Sequence, residues 1–239
     1  MLNNLRTDIQ KEADLKKAKF LGRFFKTGKG EYAEGDVFLG LTVPQSRVIV
    51  KKYRDLPLVD CLELLQSPIH EERLIALLIM VSSFAKASED RRKKIYNAYL
   101  SNTKYINNWD LVDLSAANII GGYLLEIASP SARSDVLVRL ATSENLWEKR
   151  IAIIATFAFI RKGEYETTFK IADILLHDTH DLIHKAVGWM LREVGKRISE
   201  EALENYLKSR YKTMPRTSLR YAIERFEEGK RKKYLVGAI

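Results

Sequence analysis

Apolar residues recur at three- and four-residue steps along most of this chain, the period of a helix with one face turned to a core. Runs rich in β-branched residues, such as SRVIVKKY (46–53), are short. Glycines and prolines fall mostly between the periodic stretches and mark breaks. Pro44, Pro57 and Pro68 each stand near an expected helix start, where a missing N–H is tolerated.

The helices are expected in pairs, and the pairs repeat. LLQSPIHEERLIALLIMV (64–81), LATSENLWEKRIAIIATF (140–157) and LLHDTHDLIHKAVGWMLR (175–192) share one plan. Each closes one helix, turns through polar residues and opens a second. A cation stands near the start of that second helix: Arg73, Arg150 and Lys185. RYKTMPRTSLRYAIERF (210–226) adds Arg220. Arg150, Lys185 and Arg220 follow one another at intervals of 35 residues, and Arg73 lies 77 residues before Arg150. Two helices per 35–40 residues is the signature of an α-solenoid, whose equivalent helices line one concave side. The pattern therefore predicts an all-α chain with a row of cations along that side. Ordinary solvated helix faces are the competing reading of the row.

The skipped position in the row falls within YINNWDLVDLSAANII (105–120), at or beside Asp113. Read as a helix, this stretch puts Trp109, Asp113, Ala116 and Ile120 on one side, so a carboxylate interrupts an apolar stripe. The chain has three tryptophans, and each lies within one helical turn of the row. Trp109 pairs with Asp113, Trp147 with Arg150, and Trp189 with Lys185, while Trp189 also shares a side with Arg192. Each indole read singly is also compatible with a core position. Asp110 has a simpler role, in the first turn after a candidate N-cap, Asn108.

Composition sharpens this picture. The 239 residues are 46% hydrophobic and 30% charged, enough for a sizeable core and unlike a disordered chain. Lys plus Arg outnumber Asp plus Glu by 40 to 31, a net charge of +9, which favours a polyanionic partner. The single cysteine, Cys61, allows no internal disulfide and reads as a small buried hydrophobe. The opening residues carry no signal-peptide core, and no run is apolar enough to span a bilayer. The expectation is a soluble, cytoplasmic protein with no membrane contact.

Cations at repeat spacing neutralise successive phosphates, and indoles pack on bases or sugars. A lone acid among them repels DNA unless it meets positive charge. An N3- or N7-alkylated purine carries such charge, and so does the oxocarbenium-like sugar formed as its glycosidic bond breaks. That leaving group needs no general acid, so one carboxylate suffices to stabilise the sugar and orient water. A structural ion pair with a neighbouring Arg or Lys is the alternative for Asp113.

WDLVD (109–113), WEKRIAI (147–153) and KAVGWMLRE (185–193), with FFKTGKGEYAEGDVFLGLTVPQSR (24–47) and RTSLRYAIERF (216–226), occur in an order that resembles the AlkD-type alkylpurine DNA glycosylases. These are DNA alkylation repair enzymes built from HEAT-like repeats. The resemblance implies a right-handed α-α superhelix of about six helix pairs, forming a single domain over 1–239. It implies excision of N3- or N7-alkylated purines from double-stranded DNA by a monomer, with no metal or organic cofactor. Asp113 is then catalytic, Trp109 and Trp189 are aromatic walls of the lesion site, and Arg150 binds the DNA backbone. Tyr32 is similar to a further family aromatic. Lys185, Arg192, Arg73 and Arg220 follow from the charge row as phosphate contacts. A non-catalytic binder of damaged or branched DNA, and a scaffold for an acidic protein, are rival readings.

His180 and His184 stand at i, i+4, a spacing that suits a metal, yet LLHDTHDLIHK lacks a metalloprotease glutamate. Asp178 and Asp181 are better read as helix caps, and no metal is expected. KTGKGEYAEGD (26–36) is glycine-rich without the spacing of a phosphate-binding loop. The basic tail from about residue 229, which includes KRKK (230–233), is either a DNA contact or a frayed terminus.

Overall fold

The computed structural model describes residues 1–126 and 129–239. Among the described residues every regular element is a helix, and the only bridge of strand type joins Val37 to Ile69. The chain divides into two compact units, Met1–Ile119 and Ile120–Ile239. No helix among the described residues is long and apolar enough to cross a membrane.

The first unit holds α1 (Leu2–Lys11), α2 (Leu15–Phe24), α3 (Val43–Lys52), α4 (Leu58–Leu65), α5 (His70–Lys86), α6 (Glu89–Leu100) and α7 (Trp109–Ala116). Thr42 and Gln45 cap α3 reciprocally, with Pro44 in its first turn. Pro57 is the N-cap of α4, and Pro68 precedes α5 by two residues. Helix α5 is central: twelve of its seventeen residues are buried, so it is walled on all sides rather than on one stripe. It packs against α1, α3, α4, α6 and α7. Helix α2 differs, since none of its residues is fully buried. Its start rests on Gly40, whose φ is +95° and where a Cβ would lie 2.2 Å from the Asp14 carbonyl oxygen. Only glycine fits that position.

The stretch 105–120 is not one regular helix. Asn108 caps α7, accepting from the Trp109 N–H at 2.8 Å, so the helix begins at Trp109. A π turn over Ala117–Gly121 then changes the register, so Ile120 no longer follows the α-helical stripe of Asp113.

The second unit holds α8 (Gly122–Leu124), α9 (Pro130–Ala141), α10 (Leu146–Ala155), α11 (Phe157–Ile160), α12 (Glu166–Leu175), α13 (Asp181–Arg197), α14 (Glu200–Lys208), α15 (Arg216–Ala222) and α16 (Glu228–Val236). The expected pairs are present as α9 with α10 and α12 with α13, each in contact, as α4 and α5 are in the first unit. The fourth pair is arranged differently, because α14 and α15 each pack chiefly on α13. Close approach of α13 and α15 depends on Gly188, where a Cβ would meet the Ser218 carbonyl oxygen and the Tyr221 Cβ at 2.5 Å.

The basic end of the chain is a folded helix, not a frayed terminus. Tyr234 of α16 is buried between Tyr211 and Phe226, at centroid distances of 5.4 and 5.5 Å. Lys230 bridges Glu200 and Glu204 of α14 at 2.8 and 2.6 Å.

Candidate active site

Helix α7 presents Trp109 and, one turn on, Asp113, both half-buried. The Trp109 ring lies nearly parallel to Phe25 at 5.1 Å and edge-on to Phe24 at 6.1 Å. Phe24 and Phe20 of α2 are stacked at 6.1 Å, and both are more than half exposed. They border a cavity of about 360 Å³, lined also by Phe25, Phe38, His70 and Asp110. The field of Asp113 reaches the buried Tyr99 phenol, which donates to or accepts from Ser115 Oγ at 2.9 Å. Burial first, and then that negative charge, raise the Tyr99 pKa well above a free phenol's.

A buried polar network lies under the start of α7. His70 Nε2 is 2.9 Å from Asp110 Oδ2, and Nδ1 is 3.3 Å from Asp36 Oδ2. The Arg73 guanidinium pairs with Asp36 at 2.7 Å and donates to the Ser67 carbonyl at 2.9 Å. The side-chain amides of Asn107 and Asn108 also face Asp36, at 3.4 Å. Burial opposes charge on His70, yet Asp110 and Asp36 outweigh it and bring its pKa up to about 8. Burial likewise works against ionised Asp36, but His70 and Arg73 overcome it and hold the carboxyl below its usual range.

Beside this network, Glu71 accepts the backbone N–H groups of Leu39, Gly40 and Leu41, at 3.0, 2.8 and 3.1 Å. It thereby fixes the segment that follows Asp36.

In the second unit, Trp147 and Arg150 are buried in α10, and Arg150 donates to the Leu182 carbonyl in the first turn of α13. Trp189 is half-buried, with its ring 6.2 Å from Phe157. Arg161 and Arg197 stand over the Phe157 ring at 4.3 and 5.1 Å. Lys185 pairs with Asp181 at 2.6 Å, and Arg192 pairs with Glu224 and, at 3.5 Å, with Glu193. Arg220 is exposed on α15.

The model of the DNA alkylation repair enzyme family matches residues 5–226. The chain belongs to that family. Its fold is similar to the solved structure of a predicted DNA alkylation repair enzyme from Enterococcus faecalis, with a TM-score of 0.68 and 16% identity. The match covers 91% of this chain and 98% of that one. At that identity the likeness concerns the fold. No curated protein matches the chain.

Within this family member, the site residues expected from sequence fall into two groups. Trp109 and Asp113 share a helix in the first unit, and Tyr32 is half-buried in the segment between α2 and α3. Arg150, Lys185, Trp189, Arg192 and Arg220 lie on packed helices of the second unit. Arg73 departs from the expectation of a surface phosphate contact. It is 3% exposed and bonded inward, because Asp36 enters from a segment 37 residues away. The caps in LLHDTHDLIHK also differ: His180 is the N-cap of α13, accepting from the Leu182 N–H at 3.2 Å, and Asp178 accepts from the His180 N–H. His184 Nε2 is bonded to the Asp178 carbonyl. Among the described residues, no group of three or more His, Cys, Asp or Glu is placed to hold a metal.

Sequence reading passed over Phe24, Phe25, His70 and Asp36. The signal for the phenylalanines was the FF doublet at 24–25, which straddles the end of the cationic helix LKKAKFLGRF.

Proposed function

We propose that this family member is a DNA glycosylase acting on duplex DNA that carries N3- or N7-alkylated purines. It hydrolyses the N-glycosidic bond of the cationic base and leaves an abasic site, working as a monomer of HEAT-like helix pairs without metal or organic cofactor. Asp113 supplies negative charge where the sugar becomes cationic and orients the attacking water. Trp109, extended by Phe24, and Trp189 offer aromatic surface to the lesion-bearing DNA. Lys185, Arg192 and Arg220 meet phosphates, which displace the exposed carboxylates Asp181 and Glu224 from Lys185 and Arg192. Arg150, expected on the DNA backbone, is instead 5% exposed and donates to the Leu182 carbonyl, so it holds the start of α13, from which Lys185 projects.

The observation that carries this reading is a half-buried carboxylate one turn from a half-buried indole on α7, in a chain of the DNA alkylation repair family. The experiment is chromatographic detection of 7-methylguanine or 3-methyladenine released from methylated duplex DNA. Release by the wild-type protein supports the proposal. Tight binding of the duplex with no base released would replace it with a recognition module.

A further inference from the structure

His70 is 2% exposed and touches a carboxylate at each ring nitrogen. A neutral imidazole carries one N–H, so it would turn a lone pair onto one of those carboxylates. Only the imidazolium donates to both. The ring also packs in a cluster with two aromatic rings, stacked on Phe38 at 4.4 Å and tilted against Phe25 at 5.2 Å. Phe25 is the ring on which Trp109 stacks. Asp110, the second partner, is the residue after Trp109 and lies in the first turn of α7.

Asp36 comes from the segment between α2 and α3, and Asp110 from α7. On α5 itself, Arg73 faces Asp36, Glu71 is turned to the backbone N–H groups of residues 39–41, and Glu72 lies 3.5 Å from Arg6 of α1. Lys17 of α2 borders the cavity that His70 also lines. Two carboxylates and one arginine thus meet the ring directly or through one bond, leaving it one positive charge to supply.

We infer that His70, donating at once to Asp36 and Asp110, is a positioning residue that locks the start of α7, with Trp109 and Asp113, against the segment between α2 and α3. The lock is a property of the fold. Its effect on base release rests on the proposed glycosylase reading. With the His70 pKa at about 8, the lock opens on the alkaline side of neutrality. Deprotonation removes one of the two donated hydrogen bonds and leaves one carboxylate facing a lone pair.

The test is a pH titration of the full chain by nuclear magnetic resonance between pH 6 and 9.5. The His70 ring signals are assigned by their loss in His70→Gln, and the Trp109 indole N–H by its loss in Trp109→Phe. The expected result is a His70 midpoint near 8 with the Trp109 indole following the same curve, and no such curve for Trp109 in His70→Gln. A His70 midpoint at or below the ordinary 6.5, or a Trp109 signal indifferent to His70, overturns the inference. Should His70→Gln fail to fold, Asp110→Asn decides. Removing the largest charge that raises the His70 pKa must lower the midpoint by about one unit, and an unchanged midpoint overturns the lock.

Base release at saturating enzyme is then expected to fall about tenfold per pH unit above the midpoint, with DNA affinity unchanged. A coupled titration without base release at any pH removes the glycosylase reading and leaves the lock standing. Base release with Trp109 uncoupled from His70 does the reverse.

Discussion

The neighbourhoods of α7 and α13 both offer a half-buried indole, but they handle charge in opposite ways. Around α7 the charges are interior: Asp36, His70, Arg73 and Asp110 pair with one another with little solvent access. On α13 Lys185 and Arg192 hold surface acids, Asp181 and Glu224, both at least half exposed, while the one buried acid, Glu193, ties Arg192 to Arg197. A buried network is costly to break, since one missing partner leaves an uncompensated charge. An exposed pair is worth little and exchanges readily for another anion. The difference teaches which region is built to hold geometry and which to exchange partners. The first suits the fixed carboxylate that the proposed reaction needs, and the second suits the reversible phosphate contacts proposed for Lys185 and Arg192.

The contrast breaks first at Glu71. Glu71→Ala leaves three N–H groups, two of them buried, without their acceptor and is expected to destabilise the protein by about 3 kcal/mol. Urea unfolding measures it, and a loss below about 1 kcal/mol would mean the segment after Asp36 is not held as described. Next is Gly188→Ala, which sets a methyl against the Ser218 carbonyl and Tyr221, at a cost of about 1–3 kcal/mol. The same assay checks it, with Gly195→Ala as the milder neighbour because there the Cβ meets only the flexible Leu203 side chain.

Third is the pH dependence of stability. His70 has a raised pKa in the folded state, so its contribution is complete below pH 6.5 and is lost as pH rises through about 8. The shift from 6.5 to about 8 corresponds to about 2 kcal/mol. The melting temperature should decline between pH 7 and 9 in the wild type and stay flatter in His70→Gln. The smallest effect is expected on α15, where Arg220→Ala should leave stability unchanged within about 0.5 kcal/mol. It should weaken DNA binding and lower the salt slope by about one. An unaltered slope would remove Arg220 from the interface.

Much of this was legible in the sequence because it is local. The helix pairs follow from apolar spacing, with Asn108 and Thr42 placed where caps belong. Trp109 and Asp113 share a helix because four residues make about one turn. What escaped is what the fold brings together from afar. Arg73 reads as one more cation in a periodic row until Asp36 is seen beside it. His70 is 34 residues from Asp36 and 40 from Asp110, and nothing in its own helix signals either partner. Phe24 looks like a core residue by type, yet no residue of its helix is fully buried, which leaves it more than half exposed beside Trp109. The π turn after α7 falls on ANIIG, whose Asn, paired Ile and Gly are weak helix formers but do not specify a π register.

The most direct measurement is single-turnover release of the modified base from a duplex with one alkylated purine, at saturating enzyme, for wild type and Asp113→Asn. Binding of the same duplex is measured in parallel. The account predicts that Asp113→Asn binds DNA as well as wild type or better, while base release falls by about a hundredfold or more. Equal release rates for the two proteins would contradict it.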